Sequence, residues 1–496
     1  MDDTLSEQTQ AALFPAVGRF LRECWPPILA ISALILTPCF WHREIVAADL
    51  GSHLYNAWLV QLIRRGQAPG LSIVPLRTNA AFDLLLSGLG SVWGLRVAEK
   101  IAVSIAVLIF FWGVFALVSA ATRRAPWFLT PVIALVTYGW TFHLGLFNYY
   151  LSLGVSFFAL AILWRARGWE RFIAGLIAPI IFVAHPLGLF WLLGAAIYIL
   201  TYENTGTRAH LPLFVLAILA IGLLHLFLFR HYHVQEAAKP FYSFNGADQL
   251  VLFGERYRLV ARALLIFAML SLLVDLVGLR RKHQSWSHYA LPLQLYLLTE
   301  IAILWLPEAV DFPPPIAAVA LLTERFTSVS AAVGCCLLGA IEPRKWHLAA
   351  SATIAAVFFS FLYQDTAIVN QMEAQVVELV SGLAPDQRVL ATIIPPPGSR
   401  VLIQHIVDRA CIGRCFSYGN YEPGAALFRV RALPGNPYVL ANYELAVATE
   451  RGTYVVQAQD LPVYQVYQCS GDGRKLSIRS LRAGEENDRL GVHSNR

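Results

Sequence analysis

The chain has 496 residues, of which 57% are hydrophobic and only 14% charged. Soluble domains carry roughly 25% charged residues, so this composition excludes an ordinary soluble enzyme and reads as a polytopic membrane protein. The net charge of +6 sits mostly in short loops between apolar runs, where it reports orientation and calls for no nucleic-acid partner.

The acidic, polar start MDDTLSEQTQ, followed by Arg19, Arg22 and Glu23, has no small-residue cleavage site and does not read as a signal peptide. Residues 1–24 are expected to be a cytoplasmic N-terminus. A crossing helix needs about 20 apolar residues, and 25–41 is the first such run, opened by Pro26 and Pro27.

The stretch that follows, WHREIVAADLGSHLYNAWLVQLIRRGQ (41–67), is far more polar than its surroundings. Written as a helix from Asp49, it places Asp49, Ser52, His53 and Asn56 on one arc and Leu50, Leu54, Trp58 and Leu62 on another. That pattern predicts an amphipathic helix lying at a membrane surface. A second surface helix is expected from about Asn79, still within an outer loop covering 42–97.

Further spans are predicted at 97–120, 127–142, 144–164, 211–229, 259–279, 288–306, 321–341 and 347–363. The run 172–202 holds His185 and Pro186, and proline disfavours helix at the residue before it. Basic residues should gather on the cytoplasmic side. The N-terminus, Arg123–Arg124, 165–171, 280–282 and Arg344–Lys345 fall on one side only if 172–202 crosses twice. The prediction is an all-α polytopic membrane protein with about 11 transmembrane helices in 25–363.

From 364 the chain turns soluble in character. MEAQVVELVSGLA reads as a short helix, VLATIIPP and TYVVQAQ as strands, and proline and glycine pairs supply turns. A small extracytoplasmic α+β C-terminal domain is predicted over 364–480, and 481–496 as a disordered tail. Cys24, Cys39, Cys335 and Cys336 read as small core residues. Cys411, Cys415 and Cys469 allow one disulfide and one remaining thiol.

On this topology the unusual polar residues share the outer face: Glu44, Asp49, His53 and Asp83 in the first loop, His143 and Asn148 at the second turn, His185 at the third, and Glu308, Asp311, Glu324 and Arg325 near the fifth. Ionisable groups at membrane depth are costly and are functional candidates. Each also has a plain reading, as a helix cap, an interfacial side chain or an arginine that snorkels to head groups. Tyr242 and Phe244 in KPFYSFNG could stack on a sugar, or serve as ordinary interfacial aromatics.

A first span, then a long outer loop with an acid and a histidine four residues later, then an amphipathic helix ending in G…P resembles the GT-C class of integral-membrane glycosyltransferases. Here that stretch reads ADLGSHLYNAWLVQLIRRGQAPG. The piece PLRTNAAFDLLLSGLGSVWGLRVAEKI also looks like the second half of that loop. The residue-level match is confined to about 42–102.

The resemblance implies transfer of a sugar from a polyprenyl-phosphate-linked donor to a glycan, lipid or protein acceptor at the outer membrane face. It implies Asp49 as general base with His53 as its catalytic partner. Glu44, Asn56, Asp83, His143, Asn148, His185, Glu324 and Arg325 are the expected substrate-binding residues, with Arg325 for the leaving phosphate. Glu44 and Asp49 are not a compact acid pair, so no cofactor is assigned. A divalent metal stays open but lacks its motif. A bacterial inner membrane is expected, with the C-terminal domain on the periplasmic side. The competing expectation is a non-catalytic assembly or export component with the same architecture. In that case Asp49 would face solvent or pair with an arginine. A transporter is disfavoured because the charges cluster at span ends on one side and show no repeated halves.

Overall fold

The computed structural model describes residues 13–166, 168–236, 244–313, 318–396, 398–403, 405–425, 428–469 and 473–488. The expectations placed on Tyr242 and on 1–12 and 489–496 lie outside these residues. The helices in chain order are α1 Leu13–Phe40, α2 Leu50–Arg64, α3 Ala81–Trp93, α4 Leu95–Thr122, α5 Thr130–Thr137, α6 Trp140–His143, α7 Phe147–Arg165, α8 Glu170–Ala184, α9 Pro186–Asn204, α10 His210–His231, α11 Arg256–Arg281, α12 Ala290–Trp305, α13 Leu322–Ala340, α14 Lys345–Ser381, α15 Ile406–Cys411 and α16 Tyr443–Arg451. Among the described residues, seven helices are long and apolar enough to cross a membrane, lying in α1, α4, α7, α9, α10, α11 and α14.

The bundle closes where small residues let backbones meet. A Cβ on Gly113 of α4 would fall 2.4 Å from the Gly154 carbonyl of α7, and one on Gly154 would fall 2.9 Å from the Phe110 backbone. Large aromatic side chains fill the rest of this contact, with Phe110 stacked on Tyr150 at 4.3 Å. By contrast α10 buries none of its residues, as expected of a helix whose solvent is lipid.

The run 127–142, expected as one span, is interrupted. A 3₁₀ turn precedes α5, and the backbone turns extended at Gly139 before α6. The run 172–202 does divide at His185, which is extended (φ −165°) with Pro186 opening α9, a position where proline costs nothing.

Eight strands complete the fold: β1 Leu71–Ile73, β2 His233–Gln235, β3 Ala309–Asp311, β4 Arg388–Thr392, β5 Phe416–Ser417, β6 Val430–Ala432, β7 Val463–Gln468 and β8 Leu476–Ser480. The C-terminal sheet has the order β5-β4-β7-β8, parallel except for β7 with β8. β1, in the loop after α2, pairs antiparallel with β6 of the C-terminal part, Leu71 opposite Ala432. The C-terminal part is thereby knitted onto that loop.

Three expectations on the C-terminal part need correction. The helix expected over 372–384 is not separate, because α14 runs unbroken for 37 residues from Lys345. Its polar middle is tolerated since Asp365 receives Arg256 Nη2 at 2.6 Å and the Tyr257 hydroxyl at 2.8 Å. TYVVQAQ forms no strand and makes only an isolated bridge, Val455 to Glu486. The β-rich run just after it, VYQVYQ, is β7 instead. Finally, 481–488 is built into the domain. Leu481 is buried, and Asn487 donates to the Thr449 carbonyl and accepts from the Tyr454 amide. Cys411 and Cys415 form the disulfide, leaving Cys469 free.

Candidate functional site

Asp49 is the N-cap residue of α2, and its backbone is held from behind. The amides of Ala48 and Asp49 donate to the carbonyls of His143 and Leu144. Gly145, with φ +86°, comes so close that a Cβ there would sit 2.6 Å from the Asp49 nitrogen; only glycine accepts both the conformation and the approach. The carboxylate makes no capping bond to its own helix. It turns instead toward the C-terminal domain, where Oδ1 lies 3.8 Å from His405 Nε2.

The polar arc of α2 is not solvated, as an amphipathic surface helix would have it. Ser52, His53 and Asn56 are all buried, because α15 and the loop after β5 cover them. Gly51 permits this: a Cβ there would lie 2.1 Å from the His405 carbonyl oxygen. The Ser52 hydroxyl donates to Glu422 Oε1 at 2.8 Å and accepts from Asn420 Nδ2 at 2.9 Å. Asn56 Nδ2 donates to the Ser52 carbonyl, and its buried Oδ1 has no partner among the described residues.

Two histidine–aspartate pairs flank Asp49. His53 Nδ1 donates to Asp83 Oδ1 at 2.7 Å, and Asp83 Oδ2 accepts from Asn148 Nδ2 at 2.7 Å. Asn148 Oδ1 in turn accepts the Phe82 amide, which locks the first turn of α3 onto α7. In the second pair His405 Nδ1 donates to Asp408 Oδ2 at 2.8 Å, and Asp408 also accepts from Asn420 Nδ2 and from the Ser417 hydroxyl.

The charges follow from burial and pairing. Burial works against a charged His53, but Asp83 outweighs it and lifts the imidazole to about 10. Burial likewise opposes His405, and Asp408 and Glu450 lift it to about 10. Both are imidazolium at neutral pH. Burial would raise Asp83, yet His53 and Asn148 bring it below the usual carboxylate range. Burial raises Asp49, against the pull of His405, His53 and Arg325. Glu422 is pushed up to about 7 by burial.

The other expected residues divide. Arg325 acts electrostatically on Asp49. Its Nε donates to the Ala320 carbonyl, and its guanidinium lies over the Tyr149 ring and 3.4 Å from His185 Nε2. His185 Nδ1 caps α9 by accepting the Leu187 amide.

Glu44 does not join Asp49. It belongs to a clamp in which Arg409 meets Glu99 at 3.4 Å, Glu373 at 3.2 Å and Glu44 at 3.8 Å. His143 contributes its backbone carbonyl rather than its ring. The ring donates Nδ1–H to the Val46 carbonyl and packs on Phe142 and Phe253, and burial holds it neutral, down to about 4. Glu324 offers its carbonyl to Gln249, away from Asp49. Phe244 packs against the core.

A narrow crevice runs beside the site, along Ala48, Gly51, Ile403, His405 and Arg409. Asp49, His53, His143 and His185 do not line it. Among the described residues, no group of three His, Cys, Asp or Glu side chains is arranged to hold a metal ion.

Reasoning from the sequence overlooked His405, Asp408, Asn420, Glu422 and Glu450, all from the C-terminal domain. The only local signal is the i, i+3 spacing of HIVD (405–408). No known family model, curated protein or solved structure matches the chain.

Proposed function

We propose that this chain is a GT-C-type membrane glycosyltransferase with about eleven crossings. It moves a sugar from a polyprenyl-phosphate donor to a glycan, lipid or protein acceptor at the outer face of a bacterial inner membrane, with the C-terminal domain on the periplasmic side. The observation that carries this reading is the Asp49 carboxylate. It is fixed by backbone bonds to the second outer turn, free of its own helix, and set between two imidazolium groups with an arginine in electrostatic reach.

In this reaction Asp49 takes the proton of the acceptor hydroxyl while that oxygen attacks the anomeric carbon. The bond from that carbon to the phosphate oxygen breaks, and the phosphate leaves with the electron pair. A carboxylate whose affinity for protons is raised by burial is a better base at neutral pH than an exposed one. Arg325 and the His53 imidazolium supply positive charge for the developing phosphate anion. A non-catalytic assembly component would leave Asp49 in solvent or locked to an arginine. Among the described residues its ion-pair partner is His405, at 3.8 Å, and not an arginine, which favours the enzyme.

The test uses the full chain in proteoliposomes with a panel of radiolabelled polyprenyl-phosphate sugars. Transfer or donor hydrolysis is expected for the wild type, with a loss of roughly 10²–10⁴-fold in Asp49→Asn. Turnover of no donor, or an Asp49→Asn rate equal to wild type, overturns the reading.

A further inference from the structure

His405 presents an imbalance that the fold itself does not resolve. Its ring is buried, 3% exposed, and Nδ1 is committed to Asp408. Nε2 has no hydrogen-bond partner among the described residues. It points between two carboxylates, Asp49 Oδ1 at 3.8 Å and Glu450 Oε1 at 3.9 Å. Both distances are too long for a hydrogen bond, and a buried donor left unmatched costs about 1–3 kcal/mol. The two carboxylates are 22% and 25% exposed, and Nε2 lies beneath them, closed to solvent.

The chemistry of the three groups selects what fits. An anion is repelled by two carboxylates. A cation meets the positive end of an N–H. A neutral hydroxyl both accepts and donates: it can accept from Nε2–H and give its own proton to Asp49 or Glu450. Two carboxylates around one donor suit neighbouring hydroxyls on one frame. An aromatic surface adjoins them. The Tyr421 ring is 5.5 Å from the His405 ring, and it packs edge-on to Phe428 at 5.6 Å and Tyr443 at 6.1 Å. Flat aromatic faces of this kind receive the apolar C–H face of a sugar.

We infer that the C-terminal domain supplies the acceptor-binding half of the site: His405 and Glu450 hold neighbouring hydroxyls of an uncharged sugar laid against Tyr421, and one of those hydroxyls is thereby aimed at Asp49. The assignment of that hydroxyl as nucleophile rests on the transferase reading. The binding of the polyol does not.

Saturation-transfer NMR on the detergent-solubilised full chain tests this, with the methyl glycosides of glucose, mannose and galactose as probes. Cyclohexanol serves as a single-hydroxyl control and methyl phosphate as an anion control. At least one glycoside is expected to receive saturation, cyclohexanol less and methyl phosphate none. His405→Phe is expected to weaken that binding about tenfold or more, the scale of a lost charged hydrogen bond, while His405→Gln, which keeps an N–H, retains part of it. Glu450→Gln, which keeps shape at a partly exposed position, should weaken binding as well and decides the matter if His405→Phe does not fold. Wild-type affinity in both His405→Phe and Glu450→Gln, binding of methyl phosphate in place of glycosides, or no glycoside binding to the wild type overturns the inference. His405-dependent glycoside binding without any sugar transfer leaves the inference standing and removes the transferase reading instead.

Discussion

His405 Nε2 and Asp49 Oδ1 face each other at 3.8 Å across a seam between α15 and the first turn of α2. The seam is this close because Gly51 has no side chain. A methyl group there would sit 2.1 Å from the His405 carbonyl oxygen, so α15 or α2 would have to shift. We expect Gly51→Ala to lower the thermal midpoint, by the equivalent of about 1–3 kcal/mol, and to make the C-terminal domain an early target in limited proteolysis. Gly88→Ala in α3, where a Cβ meets nothing within 4 Å, should be neutral or stabilising by about 0.5–1 kcal/mol. Equal midpoints for Gly51→Ala and wild type would refute the close-packing argument.

The His53–Asp83 pair is a second place where one partner cannot be removed quietly. Loss of either leaves a buried charge uncompensated, at a cost of about 3–5 kcal/mol, reduced here because Asp83 is 21% exposed. A cycle of His53→Gln, Asp83→Asn and the double variant, followed by chemical denaturation in detergent, should show the double variant less damaging than the sum of the singles. Strict additivity would mean that the 2.7 Å contact carries no coupling.

Stability should also fall as pH rises. His53 and His405 are raised to about 10, so their contribution is full below the usual histidine value of about 6.5 and is lost as pH passes through about 10. Asp49, Glu422 and Glu450 are raised by burial. Their folded forms hold protons that the unfolded chain has released, so they act in the same direction from about pH 4 upward. His143 and His185, buried neutral, act in the opposite sense, and only below about pH 6.5. The thermal midpoint in detergent should therefore decline steadily between pH 7 and 10. A midpoint that is flat over that range would contradict the imidazolium assignment.

The disulfide admits a direct count. Denaturing alkylation of the unreduced protein should label five of the seven cysteines, and prior reduction should expose Cys411 and Cys415 as well. Seven labels without reduction would exclude the pairing.

Much of the membrane part was legible, because its signals are local. The polar arc from Asp49 to Asn56, the break at His185–Pro186 and the helix near Asn79 each follow from spacing or from proline. What lay hidden was which face of α2 meets what. Amphipathicity says that Ser52, His53 and Asn56 share a side; it does not say whether that side meets water or protein. The answer comes from α15 and the Asn420–Glu422 loop, more than 340 residues away in the chain, and no periodicity encodes such a meeting. Glu44 misled for a related reason. It looks like a partner for Asp49 in sequence, but Arg409, arriving from the same distant helix, draws it into another cluster. The unbroken α14 was misjudged at Gln364 and Asp365 because their partners Arg256 and Tyr257 also lie far off in sequence.

That helix bears on how firmly the C-terminal part is held. At 37 residues α14 is about 55 Å long, nearly twice the roughly 30 Å of a hydrocarbon layer, and β4 begins a few residues beyond its end. One continuous rod thus carries both an apolar stretch and the start of the C-terminal sheet, and the pairing of β1 with β6 ties the C-terminal part a second time, to the loop that follows α2.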